Sequence, residues 1–152
     1  MGRGARAETV HQRSRTIRFQ TPKGSFEGVL NESPIAQALS AALPMASTVN
    51  RWGEEIYFDV PVTAANAAPT TDVQVGDLAY WPEGPCLCIF FGKTPASRGS
   101  EPRPASAVTI VGRTEAPAAL LHSITDGMAI RVETARTPSP QPTSRDPRSA
   151  AR

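Results

Sequence analysis

Between residues 16 and 134 the apolar positions mostly alternate with polar ones, and twice the period lengthens to that of a helix. Thr16-Ile17-Arg18-Phe19-Gln20 repeats every two residues, the period of a half-buried strand. Pro22-Lys23-Gly24 supplies a turn, and Ser25 to Leu30 reads as the returning strand of a hairpin. At Asn31-Glu32-Ser33-Pro34 the period changes. Ser33 can cap a helix while Pro34 takes its first position, where a missing N–H costs nothing. Ile35, Leu39, Ala42 and Leu43 then recur at helical spacing until Pro44, which predicts an amphipathic helix of about ten residues.

The pattern returns to strands at Ser47 to Trp52 and, after a turn at Gly53, at Glu54 to Val60. There Ile56, Phe58 and Val60 alternate with Glu55, Tyr57 and Asp59, so Tyr57 points away from the interior. Thr63 to Thr71 reads as a loop, and Val73 to Asp77 leads into a strand over Leu78 to Pro82. Cys86 to Phe91 is apolar on both faces and should be covered on both sides. The segment 92–106, with three prolines and two glycines among polar residues, is a long loop of the kind that more often serves a function. Val108 to Arg113 is a further strand, Pro117 to Ile124 a two-turn helix, and Met128 to Thr134 a closing strand after the Asp126-Gly127 turn. Seven or eight short strands in succession with two segregated short helices predict a mainly β fold, a compact closed barrel capped by the helices.

Composition divides the chain in three. Residues 1–14 hold Val10 as their single larger aliphatic side chain, and 135–152 hold none but carry four of the 15 prolines. Such segments cannot bury enough apolar surface to offset their ordering entropy, so both are expected to be disordered tails around a domain at 15–134. The tails carry charges of +2 and +3, so the net +2 of the whole chain leaves −3 for the domain. A nucleic-acid partner would need a basic face on the fold itself, and none is expected. No stretch approaches the roughly 20 apolar residues of a membrane span, and the basic opening Met1 to Arg6 leads into no apolar run. The expectation is a soluble cytoplasmic protein with no membrane partner. Cys86 and Cys88 fall on one face of a strand and are read as two small buried side chains, reduced in that compartment.

Little of the chain carries recognisable chemistry. His11 lies in a tail and His122 on the second helix, without Cys or carboxylate at ligand spacing, so no metal or cofactor is expected. No Ser–His–acid arrangement or phosphate-binding glycine loop is present in the pattern. The few aromatic residues gather in three short strand segments. Arg51 beside Trp52 can place a guanidinium at an aromatic wall, or be satisfied by Glu54 or Glu55. Arg103 between two prolines is stiffly presented. With Tyr57, Tyr80, Phe90 and Thr94 these make the candidate binding residues, while Phe58, Trp81 and Phe91 are expected to fill the core.

Asn50-Arg51-Trp52-Gly53-Glu54-Glu55-Ile56-Tyr57-Phe58 and Gly76-Asp77-Leu78-Ala79-Tyr80-Trp81-Pro82 resemble a family of small bacterial and archaeal cyclophilin-like proteins. So do Ile89-Phe90-Phe91-Gly92-Lys93-Thr94-Pro95-Ala96-Ser97 and Glu101-Pro102-Arg103-Pro104-Ala105-Ser106. The resemblance covers 15–134 in order and implies a compact cyclophilin-like barrel. Similarity to the prolyl isomerases themselves is confined to the order of the later strands. The isomerases' arginine-bearing segment and their tryptophan–histidine pocket have no counterpart, so their catalytic residues are not carried over. The expected role is a non-catalytic module binding a small molecule or a peptide. The alternatives are a peptidyl-prolyl cis-trans isomerase using Arg51 or Arg103 with Phe90, and a protein acting through its tails.

Overall fold

A computed structural model describes residues 15–135 as nine strands and two short helices. The expected tails lie outside the described residues, apart from Ala135. That residue ends the barrel: it is buried, and its N–H donates to the Thr16 carbonyl at 2.9 Å.

The first hairpin joins β1 (Thr16–Thr21) to β2 (Gly24–Leu30), with Phe19 directly opposite Phe26 and their rings stacked at 4.7 Å. Helix α1 (Pro34–Ala41) begins as expected: Pro34 occupies its first turn, and the Ser33 hydroxyl accepts from the Ala36 N–H at 3.3 Å. It buries Ile35, Ala36 and Leu39. Then come β3 (Met45–Thr48), β4 (Asn50–Arg51), β5 (Glu55–Asp59), β6 (Asp77–Trp81), β7 (Cys86–Phe90) and β8 (Thr109–Thr114). Helix α2 (Ala118–Ser123) and β9 (Ala129–Thr134) complete the chain.

All the strand pairings are antiparallel, in the order β3-β9-β1-β2-β8-β6-β7-β5-β4. The edges of this order are β3 and β4, yet only Val49 separates them in the chain. A sheet whose two edges are consecutive in sequence must roll up until they meet, which gives a nearly closed barrel. Val49 makes the seam: its N–H donates to Met128 O at 2.8 Å, and its carbonyl accepts from Gly127 at 2.9 Å. This also explains why nine strands stand where seven or eight were expected. The single strand read over 47–52 is cut in two where it passes from one edge to the other.

Alternation sorts the side chains into two cores. Phe19, Leu30, Ile56, Phe58, Leu78, Tyr80, Ile89, Val111 and Ile130 fill the barrel, each at most 2 % exposed. The opposite faces of β6 and β7 present Ala79, Cys86, Cys88 and Phe90 outward, and Val73 and Val108 pack over them. The second cover predicted for the two-faced strand at 86–91 is therefore supplied by the segments before β6 and β8. It is anchored by reciprocal backbone bonds between Thr70 and Val108 at 2.9 Å.

Candidate functional site

Where this outer layer ends, the outward side chains of β5 meet the loop that leads into β8 and leave an open pocket of about 180 Å³. Antiparallel register brings Tyr57 opposite Cys88 and Trp81 opposite Cys86. Tyr57 and Trp81 meet edge to face at 6.4 Å, while Trp52 forms another wall and Pro104, Ala105 and Val108 supply the loop side. The Trp81 indole is fixed by its Nε1–H, which donates to Ser106 Oγ at 2.7 Å. No lysine, arginine or histidine lines the pocket.

Glu55 is the polar group of this apolar setting. It is 6 % exposed and borders the pocket, and its carboxyl is hydrogen-bonded to the Cys88 thiol. Burial disfavours the charged form, and a thiol compensates only in part, so the Glu55 carboxyl is pushed up to about 7. Burial beside this carboxyl also drives Cys88 far above the ordinary thiol range, which leaves it a neutral partner rather than a nucleophile. Burial, with Asp59 accepting from Sγ at 3.3 Å, pushes Cys86 up to about 12. Both cysteines are free and buried, as expected from their spacing.

Arg51 belongs to a different cluster. Its Nη1 donates to the carbonyls of His122 and Ile124 at 3.2 and 2.8 Å, and its Nε to Gly53 O at 3.0 Å. The guanidinium also lies 5.1 Å from the centre of the Phe91 ring. Carbonyls at the end of α2 have no intrahelical partner, so Arg51 caps that helix from the neighbouring strand β4. Neither expected role, at an aromatic pocket wall or against Glu54 or Glu55, is the one it takes. Glu54 instead pairs with His122 Nε2 at 2.7 Å and accepts from the Lys93 N–H at 2.8 Å.

Comparison with known proteins adds the family. The Cyclophilin-like family profile matches residues 15–133. The chain belongs to the Cyclophilin-like family. The solution structure of a hypothetical protein from Archaeoglobus fulgidus is 38 % identical, with a TM-score of 0.67 over 80 % of this chain and 95 % of that one. No curated protein matches. Kinship thus extends over the whole described barrel, and the archaeal relative brings no stated role with it.

Within this Cyclophilin-like barrel the candidate residues separate. Trp52 and Tyr57 meet in the pocket, joined by Trp81, which is half-buried there instead of filling the core. Phe58 and Phe91 are buried as expected. Tyr80 is fully buried: its hydroxyl donates to Val62 O at 2.7 Å and accepts from the Ala64 N–H at 3.0 Å. Phe90 is equally inaccessible in the outer core, so neither ring offers a ligand a surface. Thr94 is buried and bonds to the Arg103 carbonyl within the 92–106 loop. The Arg103 side chain does not line the pocket, although its neighbours Pro104 and Ala105 do. Glu55 and Cys88 are the site residues that the pattern did not single out. Their signal was a neighbouring strand apolar on both faces, which forces part of the adjoining β5 face under cover as well.

A wider groove beside α1 encloses about 520 Å³. Its polar groups are engaged by the fold: Arg15 donates to Leu30 O at 2.9 Å and Asn31 to Ile110 O at 3.0 Å. Among the described residues no group of three or more His, Cys, Asp or Glu is placed to hold a metal. No helix among them is long and apolar enough to cross a membrane.

Proposed function

We propose that this chain is a non-catalytic binding module that seats a small molecule, or one side chain of a peptide, in the Trp52–Tyr57–Trp81 pocket. One observation carries the reading: Glu55 is buried at an open aromatic pocket with a thiol as its side-chain hydrogen-bonding partner. Buried carboxyls that serve only the fold are usually bonded to stronger donors. A perturbed carboxyl in a cleft is a functional-site signature in general. Binding is favoured over catalysis because Glu55 has no second proton-transfer group or activated nucleophile beside it. Cys88 is held protonated, and His122 belongs to the cluster around Arg51 and Glu54.

Prolyl isomerisation is the second reading, and its requirements differ. It needs a cationic donor at the edge of an apolar slot that accepts the proline ring. Arg51 is engaged by three carbonyls, and Phe90 has no exposed surface to offer beside either Arg51 or Arg103, which speaks against such a slot.

The tryptophans make a direct test, because the only two in the chain both line the pocket. A library of small fragments and short peptides, titrated against 15N-labelled protein, is expected to shift both indole N–H signals saturably with at least one member. A library that leaves both signals in place would overturn the reading. In a protease-coupled assay on a prolyl peptide, no acceleration over the spontaneous rate is expected. Acceleration proportional to protein concentration would establish the isomerase instead.

A further inference from the structure

Three features of the pocket bear on what enters it. The first is size: about 180 Å³ is close to the engineered apolar cavity of roughly 150 Å³ that admits benzene. It suits one compact head group, not an extended ligand. The second is the walls. Two indoles and a phenol present electron-rich faces, which attract a cation more strongly once it is desolvated. Methyl groups on that cation gain contact with the same rings.

The third is charge. The ionisable groups around Glu55 are Tyr57 and Asp59 on its own strand, Cys88 and Cys86 on β7, and Asp126 in the turn before β9, which acts on the same Tyr57; none of them is cationic. Arg51 stands opposite Ile56 in the β4–β5 register, so it serves the other face of the sheet. The loop residues on the far side, Pro104, Ala105 and Val108, do not ionise. An anion would meet a carboxyl and aromatic faces with no donor of opposite sign. A neutral apolar group would seal the carboxyl away without a partner, at a cost. A small cation meets every surface favourably.

We infer that the pocket takes an alkylated ammonium head group, with its charge against the Glu55 carboxylate and its methyl groups against Trp52, Tyr57 and Trp81. This rests on the binding-module reading and narrows it to a ligand class. Binding drives the Glu55 proton off, because the ionised carboxylate is the form that pairs. Affinity therefore rises with pH until Glu55 is ionised in the free protein as well.

Choline and its uncharged carbon isostere 3,3-dimethyl-1-butanol separate charge from shape. Titrated into the full-length protein at pH 8 and followed by tryptophan fluorescence and calorimetry, choline is expected to bind at least tenfold more tightly than the alcohol. Glu55→Gln, a neutral substitution of the same size, is expected to erase that preference. For the wild type, choline affinity is expected to fall about tenfold between pH 8 and pH 6, and for Glu55→Gln to stay level. If the alcohol binds as well as choline, the pocket binds without selecting charge: the inference falls and the binding module stands. If choline binds wild type and Glu55→Gln alike, or leaves the signals unchanged at 50 mM, the inference falls too. The fragment titration then judges the module independently.

Discussion

A carboxyl bonded to a thiol under an aromatic wall keeps its proton in the folded chain at pH values where the unfolded chain has lost it. For Glu55 the window runs from the ordinary 4.5 to about 7. Across it the folded state binds the extra proton, so the stability that Glu55 contributes is present at pH 4.5 and falls as pH rises, levelling off above about 7. At about 1.4 kcal/mol per pH unit the full loss is of order 3 kcal/mol. Glu55→Gln should flatten this slope, and urea midpoints of both proteins at pH 5 and pH 8 measure it. Equal slopes would mean that Glu55 is already ionised in the fold. Arg51 acts on the same scale with the opposite logic, since its charge is spent on carbonyls. Arg51→Ala leaves the end of α2 and the Phe91 face unpartnered and should cost about 2 kcal/mol in chemical denaturation. Fragment binding by the remaining folded protein should not change, because Arg51 is not part of the pocket. A stable variant that no longer binds would return Arg51 to the site.

Strands and helices were legible where their signals are local. The Ser33–Pro34 start of α1, the β1–β2 hairpin and the alternation of β5 depend on neighbours in sequence, and each formed as read. Local pattern could not say which side of a strand would later be covered. Tyr80 and Tyr57 both read as aromatic residues on strands, and long-range register alone sends one into the barrel and the other to the pocket. The partners of Arg51 were out of reach for the same reason, since the carbonyls at 122 and 124 lie far along the chain. The turn between β4 and β5 shows how closely such elements meet. Gly53 has φ +61°, and a Cβ there would sit 2.9 Å from Lys93 O and from Pro95 Cδ. Gly53→Ala therefore combines left-handed strain with a clash against the start of the 92–106 loop. A loss of at least about 1–2 kcal/mol is expected in thermal or urea unfolding. An unchanged midpoint would show that this approach yields easily.

At the scale of the molecule, the barrel depends on a seam one residue wide. Val49 is 1 % exposed, and its two backbone bonds join the turn before β9 to the strand that crosses between edges. If this closure is as firm as the interior, the amide protons of Val49 and Gly127 should exchange only through global unfolding, as slowly as those of β6 and β7. Exchange orders of magnitude faster would mean that the barrel opens along this line. The closed outline also follows from what the sequence shows, short strands in succession with two helices set apart, whereas the crossing at Val49 does not. A strand that changes partners midway carries the same residues as one that does not.

The pairing of β1 with β9, sealed by the Ala135–Thr16 bond, has a consequence for the order of the chain itself. Where the described chain starts and where it stops are neighbouring strands, about 5 Å apart. A short linker between them, with new termini cut at the exposed Pro22-Lys23 turn, would give a circularly permuted protein that retains the strand pairings and the pocket. For this barrel, where the polypeptide begins is a matter of convenience.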